Sequence, residues 1–345
     1  MGFQFGVGIV GAGVIGNVHA EALTGVQNAQ LLAIAEPRED AGQQMATKYA
    51  ATWYGSYLEM LAHPGIDLVI LGTPSGLHPE QAIIAAQHGK HVITEKPMAI
   101  TSDGATRMIE SCERASVQLA VIFQNRLSKD VFKVKRAIEA GLLGKPLLAQ
   151  GYLHWHRTQA YYDDNGGWRG TWALDGGGAL MNQTIHTIDQ LQWLMGGASS
   201  VQAMIATLTH DIETEDTAAA SLAFRNGGLG TIAATTSTDK DRPIHIEVVG
   251  EKGKAILESN ALVSWEGVGE PTDDLLTPED LELVEGWKVD EPFGGSHRRQ
   301  LRAIFNALER GTTPPFSGSE ARKAVDVILG IYESARTGQR IEIRS

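Results

Sequence analysis

FGVGIVGAGVIGNVHAEAL, residues 5–23, decides the fold. Phe5–Val10 is a short run of apolar and small residues and reads as a buried strand. It leads directly into GAGVIG at 11–16, after which a helix pattern follows, clearest over His19–Leu23. Strand, glycine-rich turn and helix in that order form a cradle for a pyrophosphate. Gly11 allows the tight turn. Gly13 lets the backbone approach a phosphate, and Gly16 lets the helix pack close to the sheet. Ala12, Val14 and Ile15 complete the loop, and the helix start offers N–H groups and a positive dipole end. Glu36 ends the next strand, Leu31–Ala35, 20 residues beyond Gly16. A carboxylate there accepts from adenosine ribose hydroxyls, which favours NAD. Arg38, two residues on, can turn onto a 2′-phosphate and leaves NADP possible.

Outward from this stretch, strands and helices alternate. Asp40–Tyr49, Pro79–His88 and Thr101–Ala115 read as helices, and Leu68–Leu71, His91–Thr94 and Gln118–Phe123 as strands. Short buried strands separated by helices imply βαβ units and a parallel sheet. The expectation is an α/β chain whose N-terminal doubly wound Rossmann domain spans residues 1–126.

Beyond Arg126 the pattern changes. Asp130–Ala140 is a helix pattern, and then strands accumulate: Leu147–His156, Val201–Thr209, Thr217–Phe224, Leu229–Thr236, Pro243–Val249 and Lys254–Leu257. Several alternate apolar and polar residues, as a sheet buried on one face does. Helix patterns cover Ala179–Met195 and Ser319–Thr337, and the acidic run 266–286 reads as a surface loop. The second expectation is a C-terminal α+β domain, 127–345, with a large, mainly antiparallel open sheet that binds substrate and forms oligomers.

Composition narrows the classes. A chain of 345 residues with 43% hydrophobic and 20% charged residues suits two globular domains. Forty-one acids against 29 bases give a net charge of −12, which disfavours nucleic acid and anionic membranes as partners. No run approaches the ~18 apolar residues of a membrane helix. The N-terminal stretch lacks the basic segment and cleavage site of a signal peptide. Cys112 is the one cysteine, so no intrachain disulfide is expected, and a reducing cytoplasm is the expected setting. His154 and His156 share a strand face without a third ligand, so no metal site is expected.

Two residues stand out for chemistry. Lys96 follows the fourth strand at its carboxyl end, where ligands bind in such sheets. Partial burial there lowers a lysine's pKa and makes proton transfer feasible. His186 lies on a helix with Asn182 and Asp189 at i, i+4 and i+7, so the three share one face. A histidine can take or give an alcohol proton while hydride leaves carbon. The triple glycine Gly176–Gly178 just before it suggests backbone passing close to something.

With these residues in place, the chain resembles the family of glucose–fructose oxidoreductase, inositol dehydrogenase and a rhizopine catabolism protein (Gfo/Idh/MocA). The resemblance spans essentially the whole chain. It rests on GAGVIG, on Thr73-Pro74 with His78-Pro79, on Glu95-Lys96-Pro97, and on DGGGALMNQTIHTID at 175–189. It implies that Lys96 faces the substrate hydroxyl and the nicotinamide, and that the Lys96–Pro97 bond is cis. It further implies that Thr73, Pro74, His78, Glu95, Lys96 and Asn125 border the dinucleotide. Many members carry an aspartate four residues before the histidine, where this chain has Asn182. Asparagine cannot act as a base, but it can orient substrate or histidine.

A closer likeness is to the bacterial dehydrogenases that oxidise C3 of UDP-N-acetylglucosaminuronate. TPSGLHPEQ (73–81), EKPMA (95–99), QNR (124–126), YYD (161–163), WRGTW (168–172) and GALMNQ before His186 carry it. It makes Arg157, Tyr161, Trp168 and Arg169 the substrate-side residues beside Asn182 and His186. The bland reading of these residues is loop packing, with the arginines paired to Asp163, Asp164 or Asp175.

The expectation is an NAD(P)-dependent dehydrogenase that moves a hydride to or from a hydroxyl carbon of a sugar, sugar acid or nucleotide sugar. A neutral cyclitol or free-sugar dehydrogenase is the alternative within the family. A non-catalytic nicotinamide sensor is the alternative of another class, and the intact Lys96 and His186 argue against it. The family usually covers its open sheet with a second subunit, so a homodimer or homotetramer is expected.

Overall fold

A computed structural model describes residues 4–164, 166–289 and 294–344. The chain forms two compact units: Met1–Ala99 with Asp103–Gln124 and Asp290–Ala321, and Ile100–Ser102 with Asn125–Val289 and Arg322–Ser345.

The first unit is built on a six-stranded parallel sheet: β1 (Phe5–Val10), β2 (Ala29–Ala35), β3 (Thr52–Tyr54), β4 (Leu68–Leu71), β5 (His91–Thr94) and β6 (Leu119–Val121). Its order is β3-β2-β1-β4-β5-β6, so the chain reverses direction across the sheet between β1 and β4. In open α/β sheets a ligand sits outside the carboxyl ends of the strands at such a reversal. Every residue of β1 and β4 is buried, as strands covered on both faces must be. Cys112 is buried on helix Ser102–Arg114, and burial pushes its thiol up to about 12, well away from a nucleophile's range.

Residues 290–321 return to this first unit, whereas the sequence reading carried the second domain unbroken to 345. The cause is helix Gly295–Glu309, which the sequence reading did not identify. Its Leu301, Ile304 and Phe305 enter the same core as Phe5, Val7, Ile9 and Leu23. Gln300 fixes it further: its side chain accepts from Phe123 N–H at 3.0 Å and donates to Val121 O at 2.7 Å, so a fully buried amide is satisfied on both sides.

The second unit carries an eight-stranded sheet. Its strands are β7 (Pro146–His154), β8 (Ala198–Ala206), β9 (Thr217–Phe224), β10 (Leu229–Thr235), β11 (His245–Gly250), β12 (Gly253–Glu258), β13 (Ala261–Glu266) and β14 (Ile341–Glu342). The order is β13-β12-β11-β7-β10-β9-β8-β14, antiparallel except where β7 meets β10. Ala149, Gly151 and Leu153 of β7, Ile232 and Ala234 of β10, and Ile246 and Val248 of β11 alternate as the buried face. Gly151 leaves room for Thr187 and Leu191 of helix Ile185–Leu194.

The acidic run 266–286 is not a plain loop. Its Thr277 and Asp280 form a capping box that starts helix Pro278–Val284. Arg136 grips Asp280 through two bonds of 2.6 and 2.8 Å, and Lys129 and Lys133 both pair with Asp273. The acids therefore meet the basic side of helix Lys129–Glu139 rather than water alone.

One buried ion pair ties the start of this unit to its main helix. Arg126 donates to both oxygens of Asp189, at 2.6 and 2.5 Å, and the two side chains are 4% and 1% exposed. Asp189 thus serves packing, not the open helix face that its spacing suggested. Asp189→Asn leaves a buried guanidinium without its counter-charge and is expected to cost about 3–5 kcal/mol. An unchanged midpoint in chemical denaturation would refute this.

Candidate active site

In the first unit the sequence-read residues gather at the carboxyl ends of the strands. GAGVIG follows β1, Glu36 follows β2, Thr73 follows β4 and Lys96 follows β5. Gly11 takes φ +98, and a Cβ there would lie 2.9 Å from Gly72 O. A Cβ on Gly16 would meet Gly11 O at 2.0 Å, so the helix and the turn are in backbone contact. Around Gly13 nothing lies within 4 Å of where a Cβ would sit. Gly13 is also the cap of helix Val14–Leu23, which has no side-chain cap and no acid in its first turn. Val14 beside it is 69% exposed. Open space, N–H groups without a side-chain cap and no acid in the helix's first turn are what a pyrophosphate requires, so the residues fit the dinucleotide.

Glu36 lies at the edge of this cradle and is held firmly. Its Oε2 accepts from Ala12 N–H at 2.8 Å, and Arg38 reaches both oxygens, at 2.8 and 3.1 Å. Burial pushes the Glu36 carboxyl up, but the bonds from Arg38 and Ala12 outweigh it and hold the carboxyl below its usual range. A fixed anion therefore borders the loop, and Arg38 is engaged in neutralising it.

His78 and Glu95 take supporting positions. His78 is buried, with one ring nitrogen 2.9 Å from Pro97 O and the other 2.9 Å from Thr73 O. It braces the two loops that carry Thr73-Pro74 and Lys96-Pro97. The Lys96–Pro97 bond is cis. Glu95 is buried against His19, whose Nε2 is 2.7 Å from its Oε1, and His297 Nε2 is 3.9 Å away. Burial pushes Glu95 up, yet the bond from His19 and the surrounding positive groups, Lys96 among them, hold it at about 2. Burial also drives the His297 imidazole down to about 4. The sequence reading named neither histidine. His19 stood in the opening stretch, and His297 belongs to the unread helix.

In the second unit a polar chain connects most of the remaining residues. Asn182 donates to Asp175 Oδ1 at 2.6 Å and accepts from Gln183 at 3.0 Å. Gln183 donates to Tyr161 Oη at 2.7 Å and accepts from Arg157 at 3.2 Å. Arg157 pairs with Asp241, not with the acids of its own loop. The Arg169 guanidinium lies 4.5 Å from the Tyr161 ring centre and 5.1 Å from that of Trp168. Its hydrogen bond goes to Tyr161 O, and it makes no ion pair among the described residues. Gln183, the hub of this chain, was missed, although it follows Asn182 directly. Asn125 has its carbonyl bonded to Gln190 at 2.8 Å.

Asn182 and His186 lie on unequal geometry. Ala179–Thr184 is a π-helix turn and only Ile185–Leu194 is α-helix. Single π turns recur at functional sites because they re-aim side chains. Of the strand histidines, His154 stacks on Tyr152 and His156 bonds Thr238 O.

Comparison with known proteins matches this architecture. Residues 5–123 match the oxidoreductase family with NAD-binding Rossmann fold, and residues 131–256 match the GFO/IDH/MocA C-terminal domain. The WlbA dehydrogenase from Bordetella pertussis, in complex with NADH and UDP-GlcNAcA, is 35% identical over 99% of both chains, with a TM-score of 0.91. The Chromobacterium violaceum WlbA dehydrogenase, with the same ligands, is 34% identical, covers 100% of this chain and 97% of its own, and gives 0.90. Myo-inositol 2-dehydrogenase of Thermotoga maritima is 28% identical over 92% of each chain. With both halves matched and a relative of this identity covered end to end, the chain belongs to the Gfo/Idh/MocA family and is an NAD-dependent oxidoreductase.

Proposed function

We propose that this enzyme oxidises or reduces a hydroxyl carbon of an anionic sugar, with a nucleotide-linked uronate as the substrate. The observation that supports it is Arg169, a cation held between two aromatic rings without an acidic partner among the described residues. In a chain of net charge −12 this guanidinium offers a planar fork that suits a carboxylate or phosphate. The likeness to two dehydrogenases holding UDP-GlcNAcA favours the same substrate class.

Gly11–Gly16 and Glu36 hold the dinucleotide, and Thr73, Pro74, Lys96 and Asn125 border it. NAD, when bound, supplies the hydride acceptor. Lys96 and His186 exchange the hydroxyl proton, and Asn182, fixed on Asp175, orients rather than transfers. The first unit serves as the nucleotide domain and the second as the substrate and oligomer domain. The single cysteine fits a cytoplasmic setting, and no described helix is long and apolar enough to cross a membrane.

The uncovered face of the second sheet supports a homodimer or homotetramer. Met204 of β8 is 76% exposed and Leu229 of β10 is 60% exposed, beside the small exposed Ala219 and Ser221 of β9. Small and apolar side chains on a broad sheet face match a second copy of the same face.

Lys96→Ala and His186→Ala should each lower kcat by about 10²–10⁴-fold while dinucleotide affinity stays nearly intact. Near-normal turnover in either variant would reject its role. Arg169→Ala should sharply lower kcat/KM for UDP-N-acetylglucosaminuronate and hardly change it for myo-inositol or glucose. Good turnover of neutral polyols with none of any anionic candidate would move the assignment to a cyclitol or free-sugar dehydrogenase. Light scattering at micromolar concentration should give a dimer or tetramer mass, and a monomer would contradict the sheet-face assembly.

A further inference from the structure

Glu215 lies more than 25 residues beyond His186 in sequence, yet it holds the start of the helical segment that bears Asn182 and His186. Three consecutive backbone N–H groups meet it. Gly178 donates to its Oε2 at 3.1 Å and Leu180 to its Oε1 at 2.8 Å. Ala179 donates to its carbonyl at 2.9 Å. Tyr332, from helix Gly318–Thr337, donates to the same Oε1 at 3.0 Å. The first N–H groups of a helix have no intrahelical acceptor, so a buried start needs an outside one. Here a single residue supplies it, and from an acid placed well for the helix dipole.

The triple glycine is the counterpart of this cap. A Cβ on Gly178 would lie 2.0 Å from Glu215 O, and one on Gly177 would lie 1.9 Å from Tyr332 Oη. Any side chain at either position would expel the cap. The backbone does pass close to something, as the sequence suggested, and that something is Glu215 and Tyr332. The π turn follows immediately, over Ala179–Thr184.

We propose that Glu215, braced by Tyr332, is a positioning residue that sets where Asn182 and His186 lie for proton transfer. This rests on the reading that His186 moves the substrate proton. The residue has charge chemistry of its own. Burial pushes the Glu215 carboxyl up to about 7, against the bonds from Leu180, Gly178 and Tyr332 that pull it down. The titratable group facing it is Tyr332, which burial and the Glu215 charge raise well above its usual value, and Asp175 acts on Tyr332 in the same sense. The neighbouring Asp216 turns away, onto the N–H groups of Leu208, Thr209 and His210. Hydrogen bonds to an ionised carboxylate are shorter and stronger than to a neutral one. The cap is therefore tightest above neutral pH and slackens as Glu215 takes up a proton.

Glu215→Gln keeps the size but sets an NH₂ group against one of the two N–H donors, of Gly178 or Leu180, which loses its acceptor. Amide hydrogen exchange over 178–186 should then be faster than in the wild type at pH 8. The wild type, corrected for intrinsic rates, should lose protection as pH falls through about 7, and the Gln variant should show no such step. With NAD and UDP-N-acetylglucosaminuronate, kcat should fall about tenfold to 100-fold, as a small misplacement of a proton-transfer group does. NAD affinity and KM should stay within about twofold, since ground-state binding is untouched. Tyr332→Phe keeps every acceptor for the N–H groups, serves if the Gln variant does not fold, and should shift both readouts the same way by less. Unchanged protection over 178–186 in both variants overturns the proposal whatever the substrate. So does an unchanged kcat where His186→Ala is inactive. An unchanged kcat in His186→Ala alongside altered protection overturns the catalytic reading of His186 instead.

Discussion

Every helix begins with backbone N–H groups that the helix itself cannot satisfy, and the two functional halves of this protein meet that constraint in opposite ways. Helix Val14–Leu23 starts at Gly13 with no side-chain cap, no acid in its first turn and open space beside it. Its first N–H groups have no side-chain cap, the state in which a helix start can receive a phosphate. The helical segment bearing His186 starts with three N–H groups, of Gly178, Ala179 and Leu180, engaged by Glu215. Glycines appear at both starts for different reasons. Gly13 leaves open space beside the helix start, whereas Gly177 and Gly178 let internal groups press against the chain. A glycine run therefore marks close approach but does not say whether the approaching group is a ligand or the protein.

The two sheets were legible because their periodicities differ. Buried parallel strands are continuous apolar runs, and those of β1, β4 and β5 were read with their observed limits. The one-face-buried strands of the second unit alternate, and β9 too matched residue for residue. What escaped the reading was short or diluted by charge. β3 has three residues and its neighbour helix Tyr57–Leu61 has five, too few to show a period. Helix Gly295–Glu309 did carry apolar residues at 301, 304, 305 and 308, the spacing of a helix face, but three arginines and a histidine around them masked it. Its return to the first unit is a long-range event that no local pattern encodes. The acidic run 266–286 shows the same limit. Its helix depends on Arg136 and two lysines more than a hundred residues upstream.

At the site, legibility followed chemistry. Residues fixed by local position lie where spacing put them: the glycine loop, Glu36 and Lys96 each fall at a strand end. Residues whose role depends on partners were not so legible. His78 was assigned to the cofactor border, but both its ring nitrogens face carbonyls within the protein, Pro97 O and Thr73 O, each at 2.9 Å. Gln183 links Asn182, Tyr161 and Arg157, and nothing about a glutamine in a helix announces that. Glu215 reads in sequence as one of several acids before β9, and only its burial and its three N–H donors separate it from Glu213 beside it.

Asn182 shows how such partners bear on mechanism. Position 182 is an asparagine, and its amide cannot accept a proton from a hydroxyl. The structure places Asp175 2.6 Å from that amide, so the position is not without a carboxylate nearby. Asp175 also accepts from Gly170 N–H at 2.9 Å and so fixes the loop next to Arg169. An aspartate at 182 would set two carboxylates against each other, and one would be forced to hold a proton. Asparagine avoids that conflict by donating. Asn182 thus has a defined orientation rather than a base's chemistry, and through Asp175 it couples the helix of His186 to the loop of Arg169.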